Sequence, residues 1–270
     1  MPLPLKVGAA LTLADLPRYA DWILSQQRDL EMQDPCAPDF LDGDWQATAR
    51  QIRNLLGGYT GRMGVHAPYF SVSLAIYDAK VRLPVVERYQ QALDFSAAIG
   101  ARQMVVHSPL DFLGAPVFSP RDSQQFRDAY AQTLMPIAQH AAQVGVTLVI
   151  ENISDRDPQL WRRLAAEVNL DCVRLSVDVG HAYLAHVQHR APTPDQWLHT
   201  GGDLLQHVHL QDNDGYGDRH WAMGDGNLNW RSIFNALVDL PSLPQLIIEV
   251  NDPDDIARSY AWLSAQGLAI

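Results

Sequence analysis

Histidines and carboxylates mark the ends of successive apolar, strand-like runs in this 270-residue chain. The runs are MGVHAPY, QMVVHSP, TLVIENI, LSVDVGHA, QHVHLQDN and LIIEVND, and nine such side chains lie in them or in the loop after the fifth: His66, His107, Glu151, Asp178, His181, His209, Asp218, His220 and Glu249. Imidazoles and carboxylates are the protein ligands of zinc, manganese and iron. Reactive side chains at the C-terminal ends of the strands are typical of the active site of a (β/α)8 barrel. The sequence therefore predicts a metal centre formed by these nine side chains.

Two segments place a carboxylate and an imidazole close together. In DVGH, one turn brings Asp178 and His181 to the same rim, and DRH repeats the pairing with Asp218 and His220. Each short motif is common by itself. Their shared position relative to the strands is what predicts metal binding.

Neighbours of the candidate ligands are expected to support them. His207 lies two residues before His209 on the same strand face, further from the strand end, so we expect His207 to be a hydrogen-bonded core residue. Asn152 and Asp212 follow candidate ligands by one and three residues. Those positions suit hydrogen bonds that orient the ligands.

Strand and helix patterns alternate eight times along the chain. The strand patterns are KVGAAL, DLEMQ, MGVHAP, QMVVHS, VTLVIEN, VRLSVDVG, QHVHLQ and QLIIEV, and a helical pattern follows each of them. Eight such units predict an α/β fold with a single (β/α)8 TIM barrel over residues 1–270. The alternative is a doubly wound open sheet. VGAA replaces the GxGxxG fingerprint after strand one, so we expect no dinucleotide cofactor.

The composition is that of a soluble enzyme with one domain. Apolar residues make up 47% of the chain, and the net charge of −11 offers no basic surface for nucleic acid. No apolar run reaches the roughly 18 residues of a membrane span, and the N-terminus lacks the features of a signal peptide. Cys36 and Cys172 form no disulfide framework. We therefore expect a cytoplasmic protein in which both cysteines are structural.

The order of the motifs VHAPY, VVHSP, VIEN, DVGHA, HVHLQD, DRHWAMGDG and IIEV resembles the xylose isomerase-like TIM barrel superfamily. That superfamily includes sugar phosphate isomerases and epimerases as well as endonuclease IV, and the resemblance spans strands three to eight. In endonuclease IV such a site holds three zinc ions. The resemblance would assign the three ions to His66, His107 and Glu151; to Glu151, Asp178, His209 and Glu249; and to His181, Asp218 and His220.

The isomerases and epimerases of the superfamily use only the four-residue group, around one divalent cation. The resemblance therefore implies one to three ions of Mn²⁺, Zn²⁺, Mg²⁺ or Co²⁺. Both branches share one set of ligands: Glu151, Asp178, His209 and Glu249.

The preferred function is sugar (or sugar phosphate) isomerisation or epimerisation through an enediolate. A divalent cation that holds adjacent carbonyl and hydroxyl oxygens acidifies the neighbouring C–H, and Glu151 and Glu249 on opposite walls would remove and return the proton. The residues expected to bind substrate are His181, Arg219, Tyr69, Asn152 and Trp221. Trp45, Trp221 and Tyr69 are candidates for packing on a sugar face.

An endonuclease IV-like, trinuclear zinc AP endonuclease or phosphodiesterase is the main alternative. The loop DPCAPDFLDGD and rim residues such as Asp111 and Asp155 are acidic, which disfavours binding of DNA. A metal-dependent lyase or dehydratase and a non-catalytic metal- or carbohydrate-binding barrel are further alternatives. We expect a small sugar or sugar acid as partner, with neither nucleic acid nor membrane. The sequence leaves open the substrate, its phosphorylation and homo-oligomerisation.

Overall fold

Eight parallel strands form a closed barrel in chain order, as the sequence predicts. The computed structural model describes residues 2–110 and 120–270, so Asp111 of the predicted acidic rim lies outside the described residues. The strands are β1 (Gly8–Leu11), β2 (Leu30–Met32), β3 (Met63–His66), β4 (Gln103–His107), β5 (Thr147–Glu151), β6 (Val173–Asp178), β7 (Leu205–Leu210) and β8 (Gln245–Ile248). Pairing of β1 with β8 closes the sheet.

Helices cover the outside of the barrel. In the described residues they are α1 (Leu16–Gln26), α2 (Trp45–Leu55), α3 (Ala79–Ile99), α4 (Pro120–Val144), α5 (Pro158–Ala166), α6 (Val179–His189), α7 (Pro194–Gly201), α8 (Trp230–Val238) and α9 (Asp254–Ala265). Helix α6 is additional to the eight predicted helices. It starts directly at the end of β6, where the Asp178 carboxylate caps it by accepting a hydrogen bond from the backbone N–H of His181 at 2.7 Å. No helix in the described part of the chain is long and apolar enough to cross a bilayer.

Strand register sets the height of the candidate ligands. Side chains alternate between the barrel interior and the helix layer along each strand, and the parallel strands are buried on both faces, with core residues such as Val65 and Val208 fully covered. His107 is in register with Glu151 across β4 and β5, and Asp178 is in register with His209 across β6 and β7. The C-terminal mouth of the barrel therefore receives these polar side chains at one level.

Candidate metal centre

Four side chains converge at the centre of the barrel mouth. Glu151, Asp178, His209 and Glu249 each offer a ligand atom within 4.8 Å of the others. His209 Nδ1 lies 2.8 Å from Glu151 Oε1 and 3.3 Å from Glu249 Oε2. Glu151 and Asp178 end β5 and β6, and Glu249 follows the last residue of β8. The four residues common to both branches of the resemblance thus lie together.

The four-residue cluster fits a divalent cation. Glu151 Oε2 and Asp178 Oδ2 are buried and have no hydrogen-bond partner among the described residues. A buried carboxylate oxygen without a donor carries a desolvation cost that a coordinated cation removes. Three carboxylates with one imidazole are a donor set for manganese, zinc, magnesium or cobalt.

A second cluster adjoins the first through Glu151. His66 Nε2 and His107 Nε2 lie 3.5 and 3.6 Å from Glu151 Oε2. The Nδ1 of His66 contacts the backbone carbonyl of Ala67 at 2.8 Å, which turns the other ring nitrogen toward the carboxylate. Tyr69 stacks on the His107 ring with centroids 4.9 Å apart. The predicted trio of His66, His107 and Glu151 is therefore assembled in the fold.

The third predicted trio also comes together, next to Asp178. Asp218 lies between two imidazoles, 3.1 Å from His181 Nε2 and 3.2 Å from His220 Nε2. His181 and His220 also come within 4.8 Å of Asp178. His220 has a backbone φ of 46°, a left-handed conformation that is costly for a residue with a side chain and is concentrated at functional sites.

Burial and the surrounding charges shift the pKa values of these groups in different directions. Burial raises the pKa of Asp178 to about 6 and lowers the pKa of His107 to about 3. Burial also opposes the charge on His220, but the hydrogen bond with Asp218 and the charge of Glu249 outweigh it and raise the His220 pKa to about 9.

Asn152 contacts both Asp178 and His181, two of the candidate ligands that it was expected to orient. Its side-chain amide accepts from the backbone N–H of Asp178 at 2.9 Å and donates to the backbone carbonyl of Asp178 at 3.2 Å. The backbone carbonyl of Asn152 contacts His181 Nδ1 at 3.0 Å. At 1% exposure it lies behind the ligands. This placement matches the support of Asp178 and His181 better than the predicted contact with substrate.

Asp212 organises the loop between β7 and α8. Its carboxylate accepts from the backbone N–H of Gly224 at 2.9 Å and of Leu228 at 3.2 Å, and from Trp230 Nε1 at 3.0 Å. That loop carries Asp218. Asp212 therefore contacts the loop that carries Asp218, and in the described part of the chain its carboxylate forms no hydrogen bond with a candidate ligand.

Sequence reasoning missed three polar residues that contact the cluster. Glu31 on β2 is fully buried and lies 3.1 Å from His209 Nε2. Gln33 donates from its amide to Glu249 Oε1 at 2.5 Å, and Gln211 donates to Asp178 Oδ1 at 3.3 Å. A carboxylate in the middle of the apolar strand DLEMQ was the available signal for Glu31, because ionised side chains are rarely fully buried without a partner.

A cavity of about 710 Å³ opens beside the cluster. Glu249, His66, His220 and Tyr69 line it, together with residues of the loop after β2. Cys36 of that loop is among the lining residues. Glu249 is therefore accessible from this cavity.

Of the five predicted substrate-binding residues, only Tyr69 is among the described lining residues of this cavity. His181 and Asn152 lie at the ligand clusters, and Arg219 and Trp221 lie in the loop after β7. Arg219 Nη2 forms an ion pair with Asp214 at 3.2 Å, and its guanidinium lies 5.4 Å from the ring of Trp221. Trp221 is 36% exposed and pairs through its backbone with Asp212. Both side chains belong to the outer surface of the β7–α8 loop.

Comparisons with known proteins agree with this fold. A family model described as xylose isomerase-like TIM barrel matches residues 30–266. The 3-dehydro-D-guloside 4-epimerase of Escherichia coli (strain K12) is 25% identical over 230 residues, which cover 80% of each chain. Among solved structures, the TTHB071 protein from Thermus thermophilus, soaked with ZnCl2, is 27% identical with a TM-score of 0.74 and covers 97% of each chain. The D-allulose 3-epimerase from Methylomonas sp., in complex with D-allulose, is 16% identical with a TM-score of 0.71 and covers 99% of each chain.

Proposed function

The chain belongs to the xylose isomerase-like TIM barrel family, and from that premise we propose that it is a divalent-metal-dependent sugar isomerase or epimerase. The observation that carries the proposal is the pair of carboxylates Glu151 and Glu249, which share one cluster with Asp178 and His209. Two carboxylates beside one cation can remove a proton from the carbon next to a carbonyl and return it.

Glu249 is the acid–base group that a substrate reaches first. It is the member of the four-residue cluster that lines the cavity, and Gln33 holds its Oε1. Glu151 approaches the cluster from β5, three strands away, and is 1% exposed. We assign proton removal and return to these two carboxylates, acting on opposite faces of the carbon. When bound, the cation supplies the positive charge that stabilises an enediolate.

The cavity favours an uncharged sugar over a sugar phosphate. Asp34, Asp39, Asp44 and Glu249 line it, and no lysine or arginine is among its described lining residues. A phosphate dianion would therefore face several carboxylates and no compensating cation of the protein. Aromatic side chains supply apolar faces for a sugar ring, and these are Phe40, Trp45 and Tyr69. The similarity to sugar epimerases supports the same substrate class.

Phosphodiester hydrolysis with several zinc ions is the second candidate. It is favoured by the two extra clusters, one around His66 and His107 and one around His181 and His220. The acidic cavity wall opposes it, because a nucleic-acid backbone requires basic contacts. The site thus has ligands for a polynuclear centre but a wall suited to neutral polyols.

Product analysis separates the proposals. The metal-loaded protein is incubated with free ketoses, ketoglycosides, ketose phosphates and an abasic-site DNA duplex, and products are resolved by chromatography and gel electrophoresis. We expect epimers or isomers of at least one free sugar or ketoglycoside, less turnover of phosphates, and an intact duplex. Asp178→Asn should lose turnover, whereas Asp171→Asn is the matched control at a fully exposed position. Duplex cleavage without sugar turnover would make the protein a hydrolase, and a dehydrated sugar product would make it a lyase.

A further inference from the structure

A carboxylate that the proposed reaction does not use is buried beneath the metal cluster. Glu31 in β2 has 0% exposure, and its two oxygens lie 3.1 and 3.2 Å from His209 Nε2. One of these oxygens is also 3.1 Å from His207 Nε2. Burying an ionised carboxylate is costly unless it is paired, so the two imidazoles account for its presence in the barrel.

The two ring nitrogens of His209 face different carboxylates. Its Nδ1 faces Glu151 and Glu249, the carboxylates of the proposed metal cluster, at 2.8 and 3.3 Å. Its Nε2 faces Glu31 on the far side of the ring. A proton on Nε2 that is donated to Glu31 leaves the Nδ1 lone pair directed at the cluster.

A chain of contacts fixes Glu31 from behind. His207 Nδ1 lies 2.9 Å from Ser176 Oγ, and the side chains of Glu31, His207 and Ser176 are all fully buried. Ser176 and His207 are in register across β6 and β7. The sequence spacing HVH produces this layout, because alternate residues of a strand point to the same face and stack one level apart.

Glu31 differs from the groups that orient the other candidate histidine ligands. His66 and His181 each place Nδ1 against a backbone carbonyl, at 2.8 and 3.0 Å. His209 instead faces an anion. A carboxylate behind a ligating imidazole fixes its tautomer and makes the metal-facing nitrogen more basic.

We propose that Glu31 is a positioning residue that holds His209 in the Nε2–H tautomer and thereby tunes cation affinity at the barrel mouth. The proposal rests on the proposed function insofar as His209 is a ligand of the cation. His207 and Ser176 keep the Glu31 carboxylate facing His209.

The test compares Glu31→Gln, Glu31→Ala and the matched control Glu87→Gln, which replaces an exposed glutamate on α3. Zinc affinity of the chelator-treated proteins is measured by competition with a chromogenic chelator. We expect both Glu31 variants to bind zinc about 10- to 100-fold more weakly than the wild type, and Glu87→Gln to bind as the wild type does. Thermal melting in chelator shows whether each variant is folded.

A spectroscopic measurement separates positioning from mere packing. Long-range ¹H–¹⁵N spectra of the zinc-loaded wild type should show His209 with a protonated Nε2 and a zinc-bound Nδ1, the residue being assigned with His209→Asn. Glu31→Ala should change this signature while the other histidine signals stay in place.

The possible results separate failure of the Glu31 proposal from failure of the proposed function. Unchanged zinc affinity in both Glu31 variants, or loss of the fold in Glu31→Gln, overturns the positioning role and leaves the metal centre standing. A wild-type protein that does not bind zinc, manganese or cobalt contradicts the proposed function itself.

Discussion

Replacing Asp178 by asparagine should stabilise the metal-free protein against unfolding and abolish the further stabilisation that a bound cation provides. The Asp178 carboxylate is fully buried, one of its oxygens has no hydrogen-bond partner among the described residues, and burial raises its pKa from 3.8 to about 6. Its other oxygen caps α6 at the His181 N–H. Asparagine caps a helix about as well as aspartate, so the substitution removes the charge and keeps the cap.

The expected magnitude follows from the pKa of the buried carboxyl. A pKa that is higher in the folded protein than in the unfolded chain means that ionisation disfavours folding. Below about pH 4 both states are protonated and the penalty vanishes; it grows as pH rises toward about 6 and is constant above that value. The rise from 3.8 to about 6 corresponds to a penalty on the order of 3 kcal/mol at neutral pH.

The assay is thermal and urea unfolding of the wild type and Asp178→Asn, in chelator and in saturating Mn²⁺, at pH 4.5 and 7.5. In chelator the variant should be the more stable protein at pH 7.5, with a smaller advantage at pH 4.5. A cation at 100 times its Kd adds about 2.7 kcal/mol to a protein that binds it, so the wild type should gain from Mn²⁺ and the variant should not. A variant that is less stable than the wild type in chelator at pH 7.5, or an advantage independent of pH, would refute the reasoning.

Three further predictions concern the number of ions, the cavity and pH. His66→Asn and His107→Asn should leave one equivalent of Mn²⁺ bound by the four-residue cluster, measured by elemental analysis; loss of all metal would show that this cluster does not suffice. Trp45→Ala should raise KM for a sugar substrate more than it lowers kcat, because the indole lines the cavity but is not a member of the four-residue cluster; a change in kcat alone would count against a binding role. Burial opposes the charge on His209, but three carboxylates outweigh it and raise the pKa of His209 above its usual value, so its proton must leave when a cation binds. Cation affinity should therefore fall with falling pH, and calorimetry should detect released protons. Binding that is independent of pH would show that His209 is not a ligand.

The barrel and the ligand positions were predictable because they depend on local patterns. Short apolar runs between helical patterns specify buried parallel strands, and a polar residue at the end of each run must lie at the barrel mouth. Glu151, Asp178 and His209 could be placed in this way without any knowledge of contacts. The clustering of these residues follows from closure of the sheet.

The remaining features depend on contacts between distant segments. Helix α6 was missed because its start overlaps the strand pattern and only the Asp178 cap distinguishes the two. Glu31 was missed because its partner His209 is 178 residues away in sequence. The ion pair of Arg219 with Asp214 turns an expected substrate contact toward the surface, and loop conformation of this kind is not encoded in a motif.

The most direct test of the central claim is deuterium incorporation from D₂O into a sugar that the protein turns over. Proton transfer by Glu151 and Glu249 predicts deuterium at the carbon beside the carbonyl, dependent on a divalent cation and detected by NMR. Glu249→Gln should abolish incorporation even if it retains metal, because an amide cannot accept the proton. Turnover of the sugar without deuterium at that carbon, or full incorporation by Glu249→Gln, would contradict the account.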